Sequence, residues 1–470
     1  MRLSARLTIR LLAALAAATA IMATSVACSD DKDGTTTAGT PTNQTNQTNQ
    51  TNQTNSVADL KAGPATGWSD GGYQPDLSKL KCGQKASDPH RGVTDTEITI
   101  GGLAYLTSPS GASMVGTDAG AKARFARANA EGGINGRKIN YVGTLDDGND
   151  PARDSSQSKV LVNQKKIFAA VPVMTSGASY LDTFCPETVP FFGWGFNSGF
   201  CNTSIGFGIT GCLLPGKDLK ATATAYGVML NAIFGGNATG KTVALVGNDD
   251  DSARTGVASI ARQIKAVGIK VVYQETPIPD AGLTDTTPIV SAIMTANKGA
   301  PPDVVFYGTD FTATTKLTEA LDAAGYKGKH LNTVGYDPRL AAAKLPGLEG
   351  AYTSLQWQPG SDTSVAAIRK LTADINTYAP GTAISLPTMA GYWAADMFVA
   401  AATKVGKDLT VDSLLRTMNS DYSYSVDGAL PESRWPIGHF LATPCASVVQ
   451  LNGDRYGITR PLSCGSYTAG

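Results

Sequence analysis

Apolar runs and polar interruptions alternate most regularly between residues 241 and 335, and this alternation predicts the fold class. Residues 241–248 (KTVALVGN) form a short continuous apolar run, the pattern of a strand buried on both faces. Apolar positions then recur at helical spacing through Val257, Ile260, Ala261 and Ile264, until Gly268 ends the pattern. A second strand is expected at 269–274. Thr287 as cap and Pro288 at the first helical position open a helix that turns Ile289, Ala292, Ile293 and Ala296 inward. A third strand at 303–308 (DVVFYG) precedes a stripe of Leu317, Ala320, Leu321 and Ala324, which stops at Gly325; residues 331–335 give a fourth. Apolar strands joined by single amphipathic helices predict a parallel sheet covered on both faces, and ligands of such sheets bind beyond the strands' carboxyl ends.

An earlier stretch repeats the theme. Strands are expected at 98–106, 138–145, 168–173 and 189–195. Between them lie a helix lined by Val115, Ala119, Ala126 and Ala130 and a second opened by Asp150-Pro151. After 351 come a strand at 351–356, helices at 363–377, 387–404 and 411–418, and a hairpin around Asn452-Gly453. The chain therefore reads as α/β, with two Rossmann-like lobes joined by a hinge that it crosses several times. Lobe 1 is expected at 88–215 and lobe 2 at 216–350; 351–435 returns to lobe 1, and 436–470 completes lobe 2 with the hairpin.

The first residues belong to a leader. Arg2, Arg6 and Arg10 precede an apolar core at 11–22 that is too short to span a bilayer, so 1–27 reads as a signal peptide. Ser25-Val26-Ala27-Cys28 resembles a lipoprotein cleavage site, at which Cys28 would be acylated, with palmitate among the chains, and anchor the protein to the cell membrane. An ordinary secretory leader is the alternative, and both export the chain. Residues 28–87, with TNQ repeated through 42–55, have little to bury and read as a disordered polar tether.

Charge and cysteines narrow the classes further. Lys plus Arg and Asp plus Glu are each 39, without a basic cluster beyond the leader, which argues against a nucleic-acid partner. Beyond Cys28, the cysteines are Cys82, Cys185, Cys201, Cys212, Cys445 and Cys464, an even set that suggests disulfides in an exported chain. Cys445–Cys464 and one bridge within Cys185, Cys201 and Cys212 are favoured because short loops close cheaply. With no histidine nearby and no CxxC pair, a structural metal is not expected. His90, His330 and His439 sit in no catalytic frame, and Asp146-Asp147 reads as a loop, so neither an enzyme nor a cofactor is expected.

GVTDTEITIG (92–101), NAEGGINGRKI (129–139) and LDDGNDP (145–151), in this order and spacing, resemble the solute-binding proteins of branched-chain amino-acid ABC transporters. The resemblance implies the type I periplasmic-binding fold, a Venus-flytrap clamp closing on an amino acid, an amide or a related small polar solute. It also implies ABC permease and ATPase partners and a monomeric state. A surface sensor or scavenger with the same clamp and no permease is the alternative. The resemblance places substrate-binding loops at 174–177 and 195–198, where Thr175, Ser176 and Ser198 offer hydroxyls to a carboxylate, alongside Gly195 and Asn197. These hydroxyls could equally cap the elements that follow. Asp337 falls where the family pairs an acid with the ligand ammonium, or it caps the helix before Pro338. Arg254 or Thr255 stands where the family carries a ligand-covering tyrosine, and Asp310 where it carries another aromatic. Asp249-Asp250-Asp251 could meet a cation or polyamine, or simply start a helix. Trp194 and Tyr336 are candidates for an aromatic wall, while Tyr392 and Trp393 read as core.

Overall fold

The computed structural model describes residues 76–111, 113–215 and 221–469; the leader, Cys28 and the TNQ run lie outside these. Five parallel strands form the first sheet: β1 (Glu97–Ala104), β2 (Lys138–Asp146), β3 (Ala169–Met174), β4 (Phe191–Gly193) and β5 (Gly206–Gly208), in the order β2-β1-β3-β4-β5. The second sheet has seven strands. Its parallel part comprises β6 (Thr242–Asn248), β7 (Lys270–Ile278), β8 (Val304–Gly308), β9 (Lys329–Asn332) and β10 (Tyr352–Leu355). The hairpin β11 (Cys445–Asn452) and β12 (Arg455–Cys464) adds antiparallel to β10, giving the order β12-β11-β10-β9-β8-β6-β7. Tyr352–Leu355, which the sequence reading assigns to the return to lobe 1 at 351–435, is instead a strand of the second sheet.

Central strands run apolar on both faces because helices cover both. Val243–Val246 and Val304–Tyr307 are wholly buried. Over the first sheet lie Thr117–Ala130 from the early chain and Leu386–Val405 from the late chain. These two helices touch at glycines: a Cβ on Gly120 would stand 2.0 Å from the Thr388 carbonyl oxygen, and one on Gly391 2.1 Å from that of Thr117. This contact corrects the expected inner face of the first helix. Thr117, Gly120, Ala121, Arg124, Phe125 and Ala128 point inward, whereas Val115 is 45% exposed and Ala119, Ala126 and Ala130 are not buried. Burying glycine, threonine and arginine leaves no apolar stripe to read. Arg124 is held by Asp396, and Arg127 by Asp374 (2.7 Å) and the Tyr392 hydroxyl (2.8 Å). Tyr392 and Trp393 are core residues as expected. In the second lobe Ile289, Ile293, Leu317 and Leu321 face inward, but Ala292 and Ala324 are exposed and Ala296 and Ala320 only half-buried, because alanine is small enough to sit at a stripe's edge.

The bridges are Cys82–Cys185, Cys201–Cys212 and Cys445–Cys464. The first corrects the extent of the tether, expected to run to 87. Lys81 N–H donates to the Asn202 carbonyl (2.7 Å), Ala86 N–H to Asp412 (2.8 Å), and Ala86 is buried. The sequence hides this because a strap held by backbone hydrogen bonds needs no apolar pattern.

Candidate functional site

The carboxyl ends of nine parallel strands converge on one cavity of about 180 Å³ between the two sheets. Tyr105, Asn149, Ser176 and Trp194 follow β1, β2, β3 and β4; Asn248 ends β6; Asp280, Asp310, Thr333 and Gln356 follow β7, β8, β9 and β10. The site is therefore where doubly covered sheets keep their ligands. Its apolar wall comprises Tyr105, Met114, Trp194, Phe196, Leu214 and Tyr226. The Trp194 indole N–H donates to Gln356 Oε1, which ties the first sheet's loop to the end of β10. One hydrogen bond crosses the mouth: the Ser252 hydroxyl donates to the Ser176 carbonyl oxygen at 2.6 Å. Among the described residues, no lysine, arginine or histidine lines this cavity, while Asp250, Asp280 and Asp310 do.

A second chamber of about 330 Å³ opens beside it. Asp147, Asp150 and Asp154 enter from the first lobe, Asp249–Asp251 and Asp280 from the second. Burial pushes the Asp147 carboxyl up to about 6 and, helped by the neighbouring Asp147 charge, that of Asp154 up to about 7. Burial also raises Asp250, against the pull of the Ala253 N–H it accepts.

The residues expected from sequence divide sharply. Ser176 and Asp310 reach the main cavity; Ser198 and Arg254 reach only the chamber. The Ser176 hydroxyl donates to Asn149 Oδ1. Thr175 is fully buried and its hydroxyl donates to the Gly177 carbonyl (2.8 Å), so it has no donor left for a ligand. Asn197 is equally buried: it accepts from Tyr180 OH and Gly199 N–H, each at 2.9 Å, and donates to the Thr175 carbonyl at the same distance. Gly195 is a packing glycine, whose added Cβ would stand 2.0 Å from the Gly211 carbonyl oxygen. Arg254 pairs with Asp249 and with Asp251 (2.7 Å) rather than covering the cleft, and Thr255 lines neither cavity.

Asp337 lies outside both cavities. It caps the helix Pro338–Ala343, accepting from the Arg339 N–H at 2.9 Å, and pairs with the Arg339 guanidinium. Its placement opposite a ligand ammonium is thereby replaced by the capping role. Asp310 also caps a helix, through the Ala313 N–H (2.9 Å), but its other oxygen accepts from Asn248 Nδ2 (3.1 Å) at the cavity wall. Trp194 supplies the expected aromatic wall. Tyr336 does not: it is buried against Tyr456, with its oxygen accepting from the Ser361 N–H. Tyr105, Asn149, Tyr226, Asn248, Ser252 and Gln356 were not singled out in the sequence. All but Tyr226 and Ser252 end or follow a strand, so the carboxyl-end rule applied strand by strand would have found them.

The profile of the periplasmic binding protein family matches residues 97–455, and the chain belongs to that family. Proteins of this family capture small solutes outside the cytoplasm and are binders rather than enzymes. The fold is shared with solved structures at low identity. An ABC transporter substrate binding protein from Aeropyrum pernix is 15% identical over 78% of this chain and 96% of its own, with a TM-score of 0.64. A fatty acid ABC transporter substrate-binding protein from Thermomonospora curvata is 20% identical over 79% and 93%, with a TM-score of 0.59. A leucine binding protein from Thermotoga maritima is 13% identical over 78% and 99%, with a TM-score of 0.59. No curated protein matches.

Proposed function

We propose that this chain, a monomer anchored to the cell membrane through acylated Cys28, captures a solute of amino-acid or amide size that carries an apolar body. The supporting observation is the make-up of the cleft. Both lobes contribute to the lining, which combines the aromatic rings of Tyr105, Trp194 and Tyr226 with neutral donors and acceptors on Asn149, Ser176, Asn248 and Gln356. A volume of about 180 Å³ suits such a solute, since an engineered apolar cavity of about 150 Å³ accepts benzene. Closure stabilises whichever solute binds the closed state better than the open one, and the Ser252–Ser176 hydrogen bond is one contact of that closed state.

Mass spectrometry of small molecules released by denaturing the purified protein tests the reading. One solute is expected at near-stoichiometric amount, and adding it back should raise the melting temperature of the emptied protein. The Trp194→Ala variant should retain far less. No retained solute, together with an unchanged Trp194→Ala variant, would refute capture at this cleft. Cys28→Ser should release the protein from the membrane fraction; continued membrane association would refute the anchor.

A further inference from the structure

The acidic chamber shares Asn149, Ser176, Asp250, Ser252 and Asp280 with the main cavity, so the two are continuous. Arg254 is its one lysine, arginine or histidine among the described lining residues, and that guanidinium is committed to Asp249 and Asp251. Asp150 and Asp250 each cap a helix, through the N–H of Arg153 (2.7 Å) and of Ala253 (2.8 Å). Asp147 accepts from the Asn149 N–H at 2.8 Å. Asp154 stands apart. It is 2% exposed, and one of its oxygens accepts from the Tyr180 N–H at 2.9 Å. Its other oxygen, Oδ1, is buried with no hydrogen bond of good geometry, the Ser179 N–H being the nearby backbone donor that also favours the charged carboxylate. A buried carboxylate oxygen without a well-made hydrogen bond is costly unless a proton or a cation satisfies it.

A bare metal ion does not suit the chamber, because among the described residues no three His, Cys, Asp or Glu side chains stand close enough to hold one. The space of about 330 Å³ admits a group of several atoms. An ammonium presents three N–H donors that can be shared among separated carboxylates, and its carbon body can extend onto an aromatic wall.

We propose that the captured solute is an organic cation, its ammonium seated in the chamber against Asp147, Asp154 and Asp250 and its apolar body in the main cavity on Tyr105, Trp194 and Tyr226. This inference rests on the capture reading above and names the class of solute. Burial raises all three of these carboxyls, and a bound positive charge reverses that, so binding near neutral pH releases protons. The same chamber repels carboxylates, which makes it a filter as well as a seat.

The test uses the intact exported protein, emptied of solute, at pH 7.5. Thermal shift and calorimetry compare phenethylamine with phenethyl alcohol and phenylacetate, which share its body, and putrescine and spermidine with their diol and dicarboxylate counterparts. At least one amine should bind ten or more times tighter than its alcohol, and the carboxylates not at all. Asp154→Asn and Asp147→Asn should each weaken that amine about tenfold while leaving the alcohol unchanged, and their own melting curves verify folding. Equal or tighter binding of an alcohol or carboxylate overturns the cation and leaves solute capture standing. No response to any amine also overturns it, and the solute-release experiment then decides capture independently.

Discussion

Replacing both members of the Cys82–Cys185 bridge with serine should cost more stability than replacing either of the other pairs, without touching the solute site. The sequence separations of the three bridges are 103, 11 and 19 residues. In the chain-entropy account, closing loops of those lengths disfavours the unfolded chain by about 4.7, 2.8 and 3.2 kcal/mol respectively. The folded strap keeps its other ties: Lys81 to Asn202, the Ser204 hydroxyl to the Cys82 carbonyl (2.9 Å), and Ala86 to Asp412. The loss at Cys82–Cys185 therefore acts through the unfolded state, and native geometry at the cleft is preserved. Urea unfolding of the three double variants, under non-oxidising conditions that leave the remaining bridges intact, gives the ranking directly. The variants should keep the same far-ultraviolet circular dichroism and the same affinity for the recovered solute. A loss below about 1 kcal/mol for Cys82→Ser/Cys185→Ser, or a larger loss for Cys201→Ser/Cys212→Ser, would refute the account.

Ser252→Ala removes the hydrogen bond across the mouth, worth about 1 kcal/mol net, so affinity for the recovered solute should fall about fivefold. An unchanged dissociation rate in a stopped-flow experiment would contradict that. Asp337→Ala should cost about 1 kcal/mol of stability through the lost cap and leave affinity untouched; a selective loss of amine binding would return Asp337 to the site. Asp154 has a folded-state carboxyl raised to about 7, against about 3.9 in the unfolded chain. Its ionisation thus opposes folding: the cost is absent below about pH 4, grows as pH rises, and is complete above about pH 7. Asp154→Asn should flatten the fall in urea midpoint across that window and be no less stable than the parent at pH 8. An identical slope in both proteins would exclude Asp154 as its source.

Much of the fold was legible because its central strands are continuous apolar runs, and a parallel sheet covered on both faces demands that pattern. Most helices were equally plain, down to Asp150-Pro151 as an opening, but Ala225–Ile233, buried almost all round, shows no amphipathic stripe and was not predicted. Helix faces were not, wherever close approach rather than apolar bulk decides the inner side, as at Gly120 and Gly391. The location of the cleft followed from topology, whereas the identity of its residues did not. Asp250, Asp310 and Asp337 are all capping aspartates in front of helices, alike in sequence. Two of them border the cavity and the third lies outside both cavities, a difference of distance beyond the strand: Asp250 and Asp310 come two residues after β6 and β8, Asp337 five after β9. Thr175 and Ser176 are neighbours in one loop, yet one hydroxyl is turned inward to its own backbone while the other residue meets the cleft.

The late return of the polypeptide has a consequence for biogenesis. The first sheet is built from the early chain, but one of its covering helices, Leu386–Val405, is among the last segments to leave a ribosome or a translocation pore. The second sheet likewise waits for Cys445–Asn452 to shield the flank of Tyr352–Leu355. Neither half can bury its apolar surface from contiguous sequence, so a nascent or truncated product exposes an uncovered face of the first sheet and an unpaired edge of the second until nearly the whole chain has emerged. Maturation outside the cytoplasm thus amounts to one late, concerted assembly rather than two successive ones.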